Sequence, residues 1–536
     1  MDYSYFDKEV FSVSIDCSRN AVMNVVAVKK LALYLHKMGY NRIQLYTEDT
    51  YELDNEPLFG YMRGRYTVEE LKEINAYCNS LGMEFGLGIQ TLAHLNAMFE
   101  WPYYDDIRDN SDILLVGEEK TYALIEKMFK VVGECTSTKM IGIGMDEAYF
   151  LGYGKYKEIH GEVDRFKMIT EHLTRVAEIA QKYDLFIGVS FDMIAKLCTG
   201  SADLFNLENV DKIDCSGLPE NVIMGYWDYY STDFDHYMGM YNILKKFGLP
   251  IAFNGGIWSW EGFLPEQQYA MDTLAVSMRF CREAGIKNVR VSHFGDDGAE
   301  CSKFASLPVY YYAIQQYKGN TDLESIKKGF KDLFGFDFDA FISFDKMDHP
   351  SKAHEGYANP SKYLIYNDPF TGLNDYRCSS DDNHYYKNLK EEYEKLEVTP
   401  DVQHTLDTVI ALADLHSVKA DIGVRTRKAY KAGDLEELSN IADDYLVVIE
   451  KLEKFHETFQ KQWMTENKPF GFDIQDIRIG GIIKRFETCR ERLLKYIAGE
   501  VDKIEELEVE LLNEYPGNYW HNYATPNVIS HMLYRY

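Results

Sequence analysis

The sequence predicts an α/β fold, a (β/α)8 TIM barrel followed by a mostly α-helical C-terminal region, on three observations. Eight short apolar runs alternate with amphipathic segments between residues 10 and 293, the rhythm of parallel strands joined by crossover helices. Gly39, Gly82, Gly248 and Gly285 each stand just after a helical segment, where a left-handed C-cap belongs. No G-x-G-x-x-G or P-loop pattern follows the first strand, which weakens the alternative of a doubly wound open sheet.

The expected strands are residues 10–15, 42–46, 83–89, 139–144, 185–191, 221–227, 250–254 and 288–293. Each is short, apolar and bounded by polar or turn-forming residues, as strands buried on both faces should be. Helical periodicity fills 23–38, 68–81, 118–132, 165–183, 234–247 and 266–284. Thr67 and Glu70 have the form of a capping box at the start of the second of these. Residues 196–214 show no clean helical period, so the fifth and sixth units are expected to be irregular. We expect the barrel over 1–320, an aromatic, loop-rich connection over 321–398, and a helical region over 399–536. Within the last, Arg478-Ile479-Gly480-Gly481 is expected to mark a helix–helix packing point, and the aromatic tail at 515–523 to finish the helical core.

The 536 residues carry a formal charge of −29 and a pI near 4.9. No basic stripe exists to replace phosphate counterions, so nucleic acid is excluded as a partner, and anionic membranes and strongly acidic polymers are disfavoured. A neutral sugar remains open, with abundant Tyr and Phe to stack on it. Nine cysteines are scattered without a C-x-x-C, so neither a disulfide framework nor a structural zinc site is expected. The first residues lack a basic-then-apolar signal, and no apolar run is long enough to span a membrane. A cytoplasmic location fits these features. No cofactor or metal is expected, and a homodimer is left open.

Chemistry in a parallel barrel is mounted at the carboxyl ends of the strands. Those ends carry Asp16-Cys17-Ser18-Arg19, Glu48-Asp49, Gln90 with His94, and Asp146-Glu147 on the first four strands. The last four carry Phe191-Asp192, Tyr226-Trp227-Asp228-Tyr229-Tyr230, Trp258-Ser259-Trp260-Glu261, and His293-Phe294-Gly295-Asp296-Asp297. Carboxylates ringed by aromatics, with an Arg to bind hydroxyls, describe a glycosidase pocket. Consecutive Cα atoms lie about 3.8 Å apart, so Asp146 and Glu147 are poorly placed to flank a sugar from opposite faces. If Glu147 is the general acid, the nucleophile comes from a distant strand or from the substrate. A 2-acetamido sugar provides the second route, because its carbonyl oxygen can attack the anomeric carbon to form an oxazolinium. Asp146 would then accept the acetamido N–H and offset the developing charge. Glu147 is expected to be protonated near neutrality and Asp146 ionised.

These residues resemble glycoside hydrolase family 20, the β-N-acetylhexosaminidases, in a compact form lacking the usual N-terminal α/β domain. The resemblance covers about residues 10–300 and rests on Asp146-Glu147, with Gly144-Met145 where the family has Gly-Gly. The family's D-x-x-x-H appears as Gln90-x-x-x-His94, and the resemblance implies Gln90 as a substrate-binding residue. The resemblance implies a relay Asp49–His94–Glu147, and Arg19 as the ligand of the ring hydroxyls. It also implies Trp227 in the acetamido pocket, Tyr230 or Tyr226 on the acetamido oxygen, and Trp258 or Trp260 as the remaining wall. Asp296, with Asp297 as its rival, is the implied ligand of O4 or O6. The implied activity is a retaining exo-β-N-acetylhexosaminidase acting on terminal GlcNAc or GalNAc.

Three other readings compete. A double-displacement β-glycosidase would use Glu147 as acid/base and Glu261 as nucleophile. A metal-dependent barrel hydrolase would use His94 and His293, but neither H-x-H after the first strand nor H-E-x-x-H is present. A carbohydrate-binding barrel without turnover is disfavoured by the two intact acids. Asp192 reads equally as a structural hydrogen-bonder and as a ligand.

Overall fold

The eight apolar runs form eight strands that close on themselves. In a computed structural model describing residues 5, 7–201, 203–205, 210, 217–219, 221–350 and 359–511, they are β1 (Val10–Asp16), β2 (Arg42–Glu48), β3 (Glu84–Ile89), β4 (Met140–Gly144), β5 (Phe186–Ser190), β6 (Val222–Trp227), β7 (Ile251–Gly256) and β8 (Asn288–His293). They pair in sequence order, and β1 pairs with β8 to complete a closed barrel. Every pairing is parallel. The expected barrel is therefore present, with strand ends shifted by one or two residues.

Alternation along the strands sends large apolar side chains outward beneath the helices, where Val13, Ile43, Leu45, Ile141, Ile143 and Val291 are fully buried. The inward set is polar and small. Gln44 donates to the Ser14 hydroxyl at 3.4 Å. Asn254 Oδ1 accepts from Arg290 at 3.2 Å and from Ser292 at 2.8 Å. Gly88 makes room for Gln44, since a Cβ on it would lie 2.6 Å from Gln44 Nε2.

The helices follow the sequence reading closely. The Thr67–Glu70 capping box is formed in both directions, and Gly39, Gly82, Gly248 and Gly285 all have positive φ. Two expectations change around β5 and β6. Phe191 and Asp192, expected at a strand end, begin the helix Phe191–Thr199, with Ser190 as its N-cap. That helix occupies the start of the stretch in which no period was visible. Much of the remainder lies outside the described residues.

By contact density the chain divides into two units. The first holds residues 1–258, 268–294 and 309–326, and the second holds 259–267, 295–308 and 327–536. Within the second unit, the segment expected to be loop-rich contains Phe338–Ile342, Pro360–Tyr366 and Asp382–Tyr393 as helices. Its aromatic residues pack on one another, with Phe330 edge-on to Phe336 and Phe338 at 5.2 and 5.5 Å. The long helices Leu435–Glu466 and Phe472–Ile497 share a core of Phe455, Phe459, Trp463 and Phe472, with Trp463 5.7 Å from Phe472. Phe472–Ile497 runs unbroken through Gly480-Gly481. An added Cβ at either glycine would meet nothing within 4 Å, so the two glycines lie on an exposed face of the helix, while the neighbouring Ile479 is fully buried. The aromatic tail lies outside the described residues.

A buried ion network ties the second unit together. Lys362, with no solvent exposure, donates to Asp297 Oδ2 at 2.9 Å and Glu300 Oε2 at 3.0 Å. Arg478 meets the other Glu300 oxygen at 3.2 Å. Removing one member of such a buried pair leaves uncompensated charge. Lys362→Met is expected to destabilise this unit by about 3–5 kcal/mol, read as a lower denaturant midpoint.

Candidate active site

The ends of β2 and β4 are irregular. The β2–β3 register shifts between Tyr46 and Glu48, and the β4–β5 register between Gly142 and Gly144. Such bulges re-aim the side chains that follow. Positive φ also gathers at these strand ends, at Glu48, His94, Met145, Glu147 and Trp258. Left-handed backbone at non-glycine residues is held only where the surroundings over-determine it.

Gln90 is the hub of this rim, and it is fully buried. Its Oε1 accepts the Met145 N–H at 3.2 Å. Its Nε2 donates to Asp146 Oδ1 at 3.0 Å and to the Tyr46 hydroxyl at 2.8 Å. A carboxylate at this position could not donate to Asp146, so the Gln supplies what an Asp would lack. Gly144, with φ +65°, makes the approach possible, since its Cβ would stand 2.0 Å from Gln90 Oε1. Gln90, expected at the substrate, thus meets protein groups on both ends of its amide.

His94 Nε2 lies 3.4 Å from Asp146 Oδ2 and 3.7 Å from Glu147 Oε2. Burial pushes the Asp146 carboxyl up, but the His94 charge and the Gln90 hydrogen bond outweigh it and hold the group well below the usual carboxylate range. Burial likewise disfavours the His94 cation. The charge on Asp146, with help from Glu48, overcomes both burial and the repulsion of Arg19, and His94 is raised to about 10. Glu147 follows directly, with its side chain 46% exposed. The pair is therefore split between a gripped carboxylate and an open one.

The acids of β2 divide differently from the implied relay. Asp49 is buried against the Arg63 guanidinium, while the Glu48 charge is among those that favour the His94 cation. Glu48 Oε1 also lies 3.4 Å from Arg19 Nε and accepts the Tyr46 hydroxyl at 3.2 Å. Burial raises the Glu48 carboxyl despite Arg19 and His94. Arg19 spans Glu48 and Asp16, the latter at 3.3 Å. Its guanidinium carbon is 5.3 Å from the Tyr46 ring centre.

The aromatic wall comes from β6 and the chain after it. Trp227 is stacked on Tyr229 at 5.5 Å and 26°, and Trp258 donates its indole N–H to the Tyr229 carbonyl at 2.6 Å. Tyr230, 40% exposed, meets Trp258 edge-on at 5.5 Å. Tyr226 is sealed in the core, its hydroxyl donating to Asp228 Oδ2 at 3.0 Å. Of the two tyrosines named from sequence, only Tyr230 is open to solvent. Tyr229, passed over in the sequence reading, accepts from Asn254 Nδ2 at 2.8 Å, which turns its hydroxyl toward the barrel interior. Asp192 is fully buried and accepts the Glu147 N–H at 2.8 Å. Of its two sequence readings, structural hydrogen-bonder or ligand, the contact with the Glu147 N–H fits the first.

The remaining candidates belong to the second unit. Trp260 is half-buried, Asp296 is exposed, and Asp297 is bound by Lys362. Burial first, then Glu266, Asp348, Asp297 and Asp296, pushes the Glu261 carboxyl up to about 8. In the first unit His293 is buried, its Nδ1 2.8 Å from the Tyr310 hydroxyl. Among the described residues no group of three or more His, Cys, Asp and Glu side chains is arranged to hold a metal ion.

Residues 337–524 match the family model described as the Glycoside Hydrolase 20C C-terminal domain. No curated protein sequence matches the chain. Among solved structures it is similar to a Flavobacterium johnsoniae chitobiase, with 14% identity over 94% of this chain and 74% of that one, at a TM-score of 0.49. It is also similar to an exo-β-N-acetylglucosaminidase from Vibrio harveyi, with 12% identity over 61% of this chain and 58% of that one, at 0.47. A third is a β-N-acetylhexosaminidase from Bacteroides fragilis, with 16% identity, 61% and 71% coverage, and 0.45. That match relates residues 337–524 to the C-terminal domain of glycoside hydrolases of family 20C.

Two outcomes follow from the rim. Gly144→Ala forces a side chain into Gln90 and a left-handed backbone on alanine. It is expected to cost roughly 1–3 kcal/mol from the backbone alone, measured by denaturation. The His94 proton is bound more tightly in the folded chain, so its stabilising contribution is full below the ordinary value of 6.5 and is lost as pH rises through about 10. Asp146 has the opposite sign, contributing above its ordinary 3.8 and losing that contribution in acid. The stability difference between the native chain and His94→Ala should therefore be largest between pH 3.8 and 6.5 and shrink toward pH 10, as followed by denaturant midpoints across pH.

Proposed function

We propose that the chain is a retaining exo-β-N-acetylhexosaminidase that removes terminal β-linked GlcNAc or GalNAc by substrate-assisted catalysis. The observation that carries this reading is the division within the strand-four pair. Asp146 is held ionised by His94 and Gln90, while the neighbouring Glu147 is open to solvent. In this mechanism Glu147 donates its proton to the leaving oxygen. The substrate's acetamido oxygen attacks the anomeric carbon and breaks the glycosidic bond, giving an oxazolinium. Asp146 accepts the acetamido N–H and offsets the positive charge, an interaction strongest in the transition state. Water then attacks the anomeric carbon from the face the leaving group vacated, giving one of its protons to the Glu147 carboxylate and breaking the bond to the acetamido oxygen, and the two successive inversions retain the anomeric configuration.

Arg19 would take ring hydroxyls, while Trp227, Tyr229 or Tyr230, and Trp258 would form the acetamido pocket. The double-displacement alternative needs Glu261 ionised. A carboxyl pushed up to about 8 is mostly protonated at neutral pH and is a poor nucleophile. Eight described cysteines, all free thiols, support a reducing compartment such as the cytoplasm.

The test is sugar dependence with stereochemistry. Aryl β-N-acetylglucosaminide should be cleaved and aryl β-glucoside left nearly intact, with the β-anomer appearing first by NMR. Equal turnover of the two sugars would instead favour Glu261 as nucleophile. Asp146→Asn is expected to lower kcat by about 10²–10³-fold, the usual loss of one charge-stabilising group. Glu147→Gln should spare aryl glycosides with good leaving groups more than a disaccharide, and an equal loss on both would remove Glu147 as the acid.

A further inference from the structure

Asp192 lies in the first turn of the helix that follows β5 without an intervening loop. An acid there ordinarily turns back on its own helix to meet the free N–H groups. Asp192 faces two other strands instead. Its Oδ2 accepts the Glu147 amide at 2.8 Å, and its Oδ1 accepts the Trp227 indole N–H at 3.5 Å. The side chain is fully buried, so no solvent competes for either bond. Glu147 has φ +53°, a conformation that a non-glycine residue keeps only when its backbone is anchored. The Asp192 bond to the Glu147 N–H supplies an anchor at that residue.

We propose that Asp192 is a positioning residue that joins Glu147 and Trp227 into one unit, so that the proton donor and the aromatic wall meet the same sugar ring in fixed register. This rests on the role of Glu147 as general acid. Only an ionised carboxylate can accept from both N–H groups through separate oxygens without offering a donor in return. The groups facing Asp192 are Asp146 and Glu147 after β4, Tyr149 in the following loop, and Trp227 on β6. Burial, then the charges of Asp146 and Glu147, push Asp192 up to about 7, against the hydrogen bonds it accepts. The link is therefore complete above neutrality and loses an acceptor below it.

The test combines kinetics with fluorescence. Asp192→Asn keeps shape but has a single acceptor oxygen, and Asp192→Ala removes both. On aryl β-N-acetylglucosaminide, kcat should fall about 10-fold in Asp192→Asn and further in Asp192→Ala. KM should stay within about 3-fold, the split expected for a misplaced acid. The native chain should also show a fluorescence titration with a midpoint near 7, absent from both Trp227→Phe and Asp192→Asn. A purely structural role would lower thermal stability without this kcat–KM split. Unchanged kcat and an unchanged fluorescence midpoint in Asp192→Asn overturn the proposal. If the native chain turns over neither sugar, the functional reading fails, and the fluorescence arm, which needs no turnover, decides the Asp192–Trp227 link by itself. The native chain against Trp227→Phe supplies that arm even where an Asp192 variant does not fold.

Discussion

The rim of this barrel depends on keeping one half-buried carboxylate, Asp146, charged. Burial works against the ionised form of Asp146, and left alone the group would take up a proton. His94 and Gln90 reverse that outcome, one by charge and one by hydrogen bonding. His94 is held as a cation by the same acid. Gln90 also accepts from Met145 and donates to Tyr46, so the arrangement that sets the charge also fixes the strand end.

Small residues make this possible. Gly88 leaves the barrel interior open to Gln44, and Gly144 leaves room for Gln90. The bulges at β2 and β4 then turn their terminal acids to new directions. The glycine punctuation of Ile141-Gly142-Ile143-Gly144 thus has a packing reason. Its isoleucines face the helices, while Gly144 yields space to the Gln90 side chain that follows β3. The left-handed residues along the rim are strain held in place by the rigid barrel behind it.

Much of this was legible along the chain because it depends on local periodicity. Alternating apolar runs, C-cap glycines and the Thr67–Glu70 box are properties of neighbouring residues, and they appear where expected. Side-chain partners across strands are not local. Asp49 and Glu48 are adjacent, yet one turns to Arg63 and the other to Arg19 and Tyr46. The bulge just before them, between Tyr46 and Glu48, leaves no mark in composition. Tyr226 and Tyr230 were equivalent on paper, and burial distinguishes them. Gly480-Gly481 looked like a break, but on an exposed face of a long helix two glycines cost too little to interrupt it.

By itself the sequence determined the eight-fold βα alternation, and with it the set of polar residues at the carboxyl ends of the strands, because strand period and helix period are written in consecutive residues. Tertiary structure alone decided which of those residues touch. It set Gln90 against Asp146, gave Asp192 to Glu147 and Trp227, and bound Asp297 to Lys362. The reason is physical: charge state and hydrogen-bond partner depend on distances of about 3 Å between segments far apart in the chain, and no local pattern encodes such distances.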